Sequence, residues 1–522
     1  MSGLTLKEAA NFASSYLNKN VTVSNISYLV QYGRIKKRDK DNSILVDKNE
    51  LVKYYDKLYF SKEDIYKQKL GEDINWALSF ESYKESETTK HVHRLHPYKG
   101  KFIPQLVEYF LDSHTDNFKK EVFFKKGDIV FDPFCGSGTT LVQANELGIN
   151  AIGVDISPFN AFISNIKVKK FDLQKLDKTL NDITKQLEEF TKGRNYIEFE
   201  NKLLEELNKF NNIFFPSPEF KYKVRKKEVN EKDYGKSKEI KFLSVYNRLL
   251  KEYNLKITPK KSENFLDKWF ILPVREEIDF VFDLIRQIED VQIKKVAGLI
   301  LSRTIRSCRA TTHSDLATLK TPQLTTYYCK KHGKICKPLF SIKLWWKRYS
   351  KDTIKRLSEF DSLRTATLQK CLVGDSRNMD IYKSLTNDEF KKLLKKRKIK
   401  GIFTSPPYVG LINYHQQHEY AYELFGFKRY DEFEIGAMFK GKSLKAREEY
   451  VEGIAKVLIN SKKYLADDFD IFLVANDRFN LYPTIAKKAN LKIVNEYKRP
   501  VLNRVEKDRT PYSESIFHMR RI

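Results

Sequence analysis

Cysteine is scarce in this chain, with five residues among 522. So few thiols argue against a disulfide-stapled secreted domain and are typical of proteins in a reducing compartment. No uncharged apolar run approaches the roughly 18 residues that cross a bilayer, and the first residues lack the basic-then-apolar pattern of a signal peptide. We therefore expect a soluble, cytoplasmic protein of roughly two to four domains.

Acidic residues are in the minority, with 68 Asp and Glu against 96 Lys and Arg and a formal net charge of +28. The excess is spread along the chain, so it does not form a basic tail. Such a balance indicates a polyanionic partner, most simply nucleic acid. The alternative is an organism whose proteins are all rich in lysine.

The N-terminal residues 1–60 are predicted to form a small separate unit. Thr5 and Glu8 have the spacing of a capping box for a first helix. Ser24 can cap a second helix, which Gly33 would end, and a basic hairpin and a third helix follow. This order resembles the helix-turn-helix of excisionase and MerR-type proteins, whose second helix enters the major groove. A helical cap on the larger domain is the alternative.

A glycine loop spans residues 132–140, Asp-Pro-Phe-Cys-Gly-Ser-Gly-Thr-Thr, after the strand-like residues 128–131. Gly136 and Gly138 let the backbone approach a ligand closely, and the helix that follows presents free N–H groups. Asp155 ends the next strand, where an acid can accept hydrogen bonds from a ribose diol. The pattern predicts a βαβ unit that binds a nucleotide-like cofactor.

A second motif, Thr404-Ser405-Pro406-Pro407-Tyr408, follows the strand-like pair Ile402-Phe403. Two consecutive prolines lock φ and donate no N–H, so the turn is stiff. It can aim the Ser405 hydroxyl and the Pro406 carbonyl at one point, with the Tyr408 ring beside them. An exocyclic amine needs such acceptors to orient its lone pair, and its ring needs an aromatic face. A Pro-Pro loop that merely ends a strand is the alternative.

Together, the two motifs resemble those of the DNA amino-methyltransferases, which move a methyl group from S-adenosylmethionine (SAM) to an exocyclic base nitrogen. The resemblance covers roughly residues 90–160 and 365–522. It implies SAM as cofactor, double-stranded DNA as partner and extrusion of the target base from the duplex. It also implies direct in-line transfer, with catalysis mainly by positioning and electrostatics.

The resemblance assigns roles to individual residues. Asp155 would bind the ribose, and Asp375 would lie near the adenine of SAM, although an aspartate there could equally cap a helix. Residues 96–104, His-Pro-Tyr-Lys-Gly-Lys-Phe-Ile-Pro, would close over the methionine part. The cofactor-binding candidates are Tyr98, Lys101, Phe102, Asp132, Pro133, Phe134, Gly136, Ser137, Gly138, Thr139, Thr140, Asp155 and Asp375, and the catalytic candidates are Ser405, Pro406, Pro407 and Tyr408.

The first residue of the catalytic motif bears on the target base. Serine, as at Ser405, is more typical of cytosine-N4 enzymes of this family and aspartate of adenine-N6 enzymes, so we expect cytosine N4, with adenine N6 as the alternative. Chemistry at cytosine C5 would need a nucleophilic cysteine, usually after proline, and no Pro-Cys pair occurs. An RNA methyltransferase acting on exocyclic amines and a DNA-binding regulator with an inactive methyltransferase fold are further alternatives.

Strand and helix patterns alternate in residues 75–175 and 366–522, whereas 176–365 is rich in Lys and Glu and mostly helical, with a long helix predicted over 278–307. Alternation of this kind predicts an α/β fold with a mostly parallel sheet covered by helices on both faces. By the resemblance, this is a Rossmann-like methyltransferase sheet. The large helical insert would be the target-recognition domain, and residues 1–60 a small DNA-binding unit.

Two basic groups are candidates for contacting DNA phosphates. They are Arg303, Arg306 and Arg309, and the residues Lys221, Lys223 and Arg225, which alternate with aromatics. The catalytic loop is the alternative partner of the three arginines. A cognate restriction endonuclease is a candidate protein partner, and the oligomeric state is not given by the sequence.

A compact cluster, Cys329-x2-His332-x3-Cys336, has ligand types suited to zinc. A structural zinc needs four ligands, and Cys308 or His313 could complete the set only if the fold brought them close. Ordinary Cys and His residues in a basic loop are the alternative. From the sequence we therefore assign no metal and keep these three residues as weak candidates.

Overall fold

The computed structural model describes residues 3–18, 20–40, 43–59, 62–258, 264–313, 319, 321–502 and 511–522. Its α-helices are α1 Leu6–Tyr16, α2 Val23–Gln31, α3 Lys48–Tyr59, α4 Lys62–Leu70, α5 Glu85–Thr88, α6 Pro104–Leu111, α7 Thr139–Glu146, α8 Pro158–Val168, α9 Leu173–Thr191, α10 Asn195–Phe214, α11 Glu219–Arg225, α12 Glu231–Glu252, α13 Phe265–Lys268, α14 Leu272–Gln287, α15 Val291–Cys308, α16 Lys343–Asp361, α17 Ile381–Ser384, α18 Asp388–Lys396, α19 Tyr414–Gln417, α20 Glu419–Phe425, α21 Leu444–Lys462 and α22 Tyr482–Lys488. Its strands are β1 Gly3–Thr5, β2 Lys37–Lys40, β3 Ser43–Asp47, β4 Ile129–Asp132, β5 Asn150–Asp155, β6 Tyr327–Cys329, β7 Lys334–Cys336, β8 Gln369–Val373, β9 Ile399–Thr404, β10 Leu465–Ala475, β11 Leu491–Pro500 and β12 Ser513–Arg521.

The chain divides into two compact units. The first unit is formed by Met1–Ile65, Gln186–Phe280 and Ser307–Lys343, and the second by Tyr66–Lys185, Val281–Arg306 and Leu344–Ile522. The segment predicted as an insert, residues 176–365, is thus shared between the units. No helix in the described part of the chain is long and apolar enough to cross a bilayer.

The N-terminal part of the first unit contains the predicted helices and hairpin. Thr5 and Glu8 form the capping box of α1 as expected. The cap of α2 differs from the prediction, because the Thr22 side chain, not that of Ser24, accepts from the Asn25 backbone N–H. A short strand that the sequence pattern did not reveal, β1, pairs antiparallel with β3, which also pairs with β2. Apolar residues of α1, α2 and α3 form a common core.

The second unit is built on a seven-stranded sheet of order β11-β12-β10-β9-β4-β5-β8. Strands β10, β9, β4, β5 and β8 run parallel to one another, and β12 is antiparallel to both β10 and β11. The predicted β4–α7–β5 unit is present, and the Rossmann-like α/β fold is confirmed. In parallel sheets, ligands bind beyond the carboxyl ends of the strands, and both predicted motifs follow such ends.

One long helix predicted over residues 278–307 is in fact two, α14 and α15. The break falls before Asp290, whose carboxylate accepts from the backbone N–H groups of Gln292 and Ile293. An aspartate that caps a new helix start satisfies donors that a continuous helix would not leave free. The apolar periodicity continues through the break and therefore concealed it.

Candidate functional site

A cavity lies beyond the carboxyl ends of the central strands of the second unit, with an empty volume of about 820 Å³ that includes space open to solvent. Its walls come from both predicted motifs and from the segments around them. The lining residues are Tyr98, Gly100, Lys101, Phe102, Pro133, Phe134, Cys135, Gly136, Ser137, Thr139, Asp155, Ile156, Asn160, Gly374, Asp375, Ser376, Ser405, Pro407, Tyr414, Phe433, Glu434, Ile435 and Val457. Of the predicted residues, Asp132, Gly138, Thr140, Pro406 and Tyr408 are not part of this lining.

The glycine loop adopts a backbone conformation that requires glycine. Gly136 and Gly138 have φ values of +52° and +75°. A Cβ on Gly136 would lie 3.0 Å from the Tyr98 hydroxyl, and one on Gly138 would lie 2.9 Å from the Ser164 side chain. The loop is thus pressed against its surroundings, and α7 begins directly after it.

Asp155 fixes the loop from the end of β5. Its carboxylate accepts from the backbone N–H of Gly136 at 2.7 Å, from that of Ser157 at 2.8 Å and from the Asn160 amide at 3.0 Å. Burial raises the pKa of Asp155 to about 6, and the three hydrogen bonds oppose that rise. The carboxylate still lines the cavity, so it can serve both the loop and a ligand.

Asp132 connects the two motifs instead of lining the cavity. It is 1% exposed, and it accepts a hydrogen bond of 2.5 Å from the Thr404 hydroxyl. Burial raises its pKa to about 6, although this bond and the Phe134 N–H lower it. Because Thr404 immediately precedes Ser405, this bond aligns the end of β4 with the start of the catalytic motif.

Within the catalytic motif, Ser405 and Pro407 face the cavity. Tyr408 instead donates from its hydroxyl to the Glu514 carboxylate on β12 at 2.7 Å. Burial raises the Tyr408 pKa well above its usual value, and the negative charge of Glu514 adds to that. The motif is therefore held from both ends, by Asp132 at Thr404 and by Glu514 at Tyr408.

The residues predicted to close over the methionine part of SAM make different contacts in the structure. The Tyr98 ring stacks on Tyr414, with centroids 6.1 Å apart. Lys101 lines the cavity, but its ammonium donates to the His93 carbonyl at 2.6 Å. Burial lowers the Lys101 pKa to about 8. Phe102 packs edge-on against Phe403.

Asp375 lines the cavity at the end of β8. Its carboxylate forms an ion pair with Arg377, with a shortest distance of 2.6 Å, and accepts from the Arg377 backbone N–H. The aspartate thus stabilises the turn after β8 and lines the cavity, which suits the role beside the adenine. The alternative role as a helix cap is wrong, because the next helix, α17, is capped by Asp380.

Several polar or aromatic wall residues were not anticipated from the sequence, among them Asn160, Tyr414 and Glu434. Asn160 contacts both Asp155 and the Tyr98 hydroxyl, and its place in the first turn of the helix after β5 was a usable signal. Tyr414 begins the one-turn helix α19, and Glu434 lies in the loop after α20. Both segments are too short for a periodicity that would predict which side chains turn inward. Glu434 is fixed by the backbone N–H of His415 at 2.8 Å.

The predicted arginine contacts to DNA need correction. Arg303 is 6% exposed and pairs with Asp352 at 2.6 Å while lying over the Tyr349 ring. Arg309 is 7% exposed, and Arg306 is half-buried. The Arg303 guanidinium is buried and paired, so it cannot reach a phosphate and is structural. The burial of Arg309 argues against a phosphate contact there as well. Their spacing of three within helical sequence gave no signal of burial.

The basic residues of α11 are more accessible. Lys223 and Arg225 are exposed and Lys221 is half-buried. Arg225 donates to the Tyr32 carbonyl at 2.7 Å, and the Lys221 ammonium lies 4.6 Å from the centroid of the Tyr32 ring. All of these contacts are within the first unit.

The fold brings the Cys and His cluster of the first unit together and adds His313. Ligand atoms of His313, Cys329, His332 and Cys336 all lie within 4.8 Å of one another. Cys308, the other candidate, ends α15 and is not in this group.

Comparisons of the sequence with known proteins identify its family. The family model described as DNA methylase, of the N6/N4 type, matches residues 13–165. The type II methyltransferase M.MjaII of Methanocaldococcus jannaschii is 48% identical over 521 residues, which is 99% of this chain and 96% of that protein. The type II methyltransferases M.MvaI of Kocuria varians and M.BsoBI of Geobacillus stearothermophilus are each 32% identical, over 24% and 26% of this chain and 26% and 25% of their own lengths. A match at this identity over nearly the whole length shows that the chain belongs to the N6/N4 amino-methyltransferase family of DNA methylases.

Proposed function

We propose that this protein transfers a methyl group from SAM to the exocyclic N4 of cytosine in duplex DNA, as the modification enzyme of a restriction-modification system. One observation carries the proposal: Ser405 and Pro407 line the same cavity as Gly136 and Asp155. A donor on the glycine loop and an amine on the catalytic motif would meet there. The M. jannaschii relative is named as a type II methyltransferase, which supports DNA as the substrate.

The glycine-loop side suits SAM, which supplies an electrophilic methyl group when bound. The buried Ser137 hydroxyl and the Asn160 carbonyl oxygen have no hydrogen-bond partner among the described residues, so both can bond to a ligand. The N-terminus of α7, at Thr139, favours a carboxylate such as that of the methionine part. Asp155 and Asp375 would accept from the ribose and lie beside the adenine.

The catalytic side suits a flipped amine. Ser405 and the Pro406 carbonyl would accept the two hydrogens of the exocyclic nitrogen and turn its lone pair toward the methyl group. Tyr408, fixed through Glu514, would present its ring to the base. Catalysis would come from positioning these groups at short range and from excluding water.

The first unit would bind duplex DNA. Helix α2 would act as the recognition helix of a helix-turn-helix, and its exposed residues include Ser24, Tyr28 and Gln31. Lys223 and Arg225 on α11 would contact phosphates, which position the protein without reading sequence.

The test incubates the purified protein with methyl-labelled SAM and unmethylated duplex DNA of mixed sequence, then identifies labelled nucleosides by mass spectrometry. We expect N4-methylcytosine, and we expect Ser405→Ala to lower the rate by about 10²-fold or more with little change in SAM affinity. N6-methyladenine would retain the mechanism and refute the base assignment. Label in RNA but not in DNA would refute the substrate class, and failure to bind SAM would favour a regulator.

A further inference from the structure

We infer that the first unit holds a structural zinc ion, coordinated by His313, Cys329, His332 and Cys336. Two thiolates and two imidazoles make up a donor set that selects zinc in tetrahedral sites. All four ligand atoms lie within 4.8 Å of one another. None of these residues belongs to the cavity of the second unit, so the site is independent of the methyl-transfer chemistry.

The spacing between ligand atoms matches a tetrahedron. With Zn–S near 2.3 Å and Zn–N near 2.05 Å, a sulfur and a nitrogen bound to one zinc lie about 3.6 Å apart. The Cys329 sulfur lies 3.6 Å from His313 Nδ1, and the Cys336 sulfur lies 3.5 Å from His332 Nδ1. The same distances would also suit two separate thiol–imidazole hydrogen bonds, and this is the competing explanation.

The local backbone folds three of the ligands onto one point. Strands β6 and β7 form a hairpin in which Cys329 is opposite Lys334. The Cys329 carbonyl accepts from the backbone N–H groups of His332 and Gly333, and Gly333 has φ +64°. This tight turn places His332 close to Cys329, and Cys336 lies on β7, the strand that follows the turn.

The fourth ligand, His313, comes from outside the hairpin. Its ring lies 4.3 Å from that of His332, centroid to centroid. The Tyr327 hydroxyl is 2.7 Å from His313 Nδ1. Metal binding at Nδ1 would displace that hydrogen bond, whereas a flipped ring would bind the metal through Nε2 and keep Nδ1 on Tyr327. A histidine held by a further hydrogen bond is usual at zinc sites.

The hairpin packs against α10, where the Asn211 side chain bonds to both the backbone N–H and the carbonyl of Ile335, and its own buried cluster consists of Tyr327, Cys329 and Cys336. A metal would add a cross-link within this small cluster. None of the five cysteines forms a disulfide, so a metal is the cross-link that these side chains can provide. The tip also carries the exposed lysines Lys330, Lys331 and Lys334, whose mutual repulsion the cross-link would offset.

If the first unit binds DNA as in the proposed function, the zinc site should also affect DNA binding. The Lys221 ammonium donates to the Lys331 carbonyl at the hairpin tip, so the hairpin helps to position α11. Loss of zinc should therefore weaken DNA binding, while SAM affinity, which depends on the second unit, should be retained.

The first experiment measures metal in the full-length protein purified without added metal, in the absence of DNA and SAM. We expect about one zinc per chain, and after exchange with Co(II) we expect the visible bands of a tetrahedral thiolate site. Cys329→Ser and Cys336→Ser should lose the zinc. Cys308→Ser, a buried cysteine of the same unit outside the cluster, is the matched control and should retain it.

Wild-type protein without zinc and without a tetrahedral Co(II) spectrum would overturn the inference in favour of metal-free thiol–imidazole pairs. Because that result is read on the wild type, it stands even if the serine variants do not fold. Zinc in the wild type together with no methylation of DNA would uphold the site and reject the proposed function, so the two failures are distinguishable.

Discussion

At the scale of single residues, alanine substitutions at Gly136 and Gly426 distinguish the effect of backbone strain from the effect of a steric clash in the cofactor loop. Gly136 and Gly426 both have positive φ, +52° and +64°, but a Cβ on Gly426 meets nothing within 4 Å. Alanine at either site should cost about 1–2 kcal/mol of stability. Only Gly136→Ala should also lose SAM affinity, because its Cβ lies 3.0 Å from the Tyr98 hydroxyl.

Isothermal titration of SAM and chemical denaturation of both variants would measure the two effects. Equal SAM affinity in Gly136→Ala and Gly426→Ala would mean that the close approach of Tyr98 to the loop does not shape the cofactor site.

The buried carboxyl of Asp132 predicts a pH dependence of stability. Burial raises its pKa to about 6, whereas an unfolded aspartate titrates near 3.9. Between these values the folded protein keeps a proton that the unfolded chain has released, so the free energy of unfolding falls as the pH rises from about 4 to about 6. Asp132→Asn cannot titrate, so the stability of the wild type relative to this variant should fall by about 2 kcal/mol between pH 4 and pH 7.

Denaturant titrations of both proteins at pH 4 and pH 7 measure this difference. Burial also raises the pKa of Asp155 to about 6. Asp155 is present in both proteins, so its contribution to the pH dependence cancels in the stability difference. Asp467→Asn is the control for replacing an aspartate at the surface, since this side chain is 84% exposed. A constant difference for Asp132→Asn would show that its carboxyl is ionised at both pH values.

At the scale of elements, the hydrogen bond between Tyr408 and Glu514 joins the catalytic motif to β12. Glu514→Gln and Tyr408→Phe each remove the charged bond, so each should lower kcat by about 10-fold, a loss of about 1.4 kcal/mol, with SAM affinity unchanged. If the two residues act through one bond, the double variant should be no worse than the poorer single variant.

Single-turnover methylation rates of the wild type, the two single variants and the double variant give a double-mutant cycle. Additive losses would mean that Tyr408 and Glu514 act separately, and a parallel fall in SAM affinity would place the effect on the fold of the cavity instead of on the motif.

Elements with a strong local signal could be predicted from the sequence. The Thr5–Glu8 capping box and the β4–α7–β5 unit are set by short-range spacing. The break before Asp290 was concealed by continuous apolar periodicity. Side chains brought together across long separations, such as Glu514 with Tyr408, leave no local pattern. The cavity could therefore be predicted through its two motifs, but not through Tyr414 or Glu434.

At the scale of the whole molecule, the net charge of +28 should make the affinity for DNA depend on salt more strongly than the affinity for SAM. DNA binding that neutralises phosphates releases counterions, so the affinity falls steeply with salt. SAM would enter a cavity whose charged groups are already paired or buried, and its affinity should depend weakly on salt. Salt dependence therefore separates the two binding events in one protein.

The exposed lysine of α11 provides the last prediction. Lys223→Ala should weaken DNA binding on all sequences and reduce the slope of log affinity against log salt by about 1, because one phosphate contact is lost. Lys192→Ala is the control, since its side chain is 75% exposed in the same unit but pairs with Glu189, and its slope should match that of the wild type. Fluorescence anisotropy of labelled duplexes across a salt series measures both, and an unchanged slope for Lys223→Ala would exclude α11 from the DNA-binding surface.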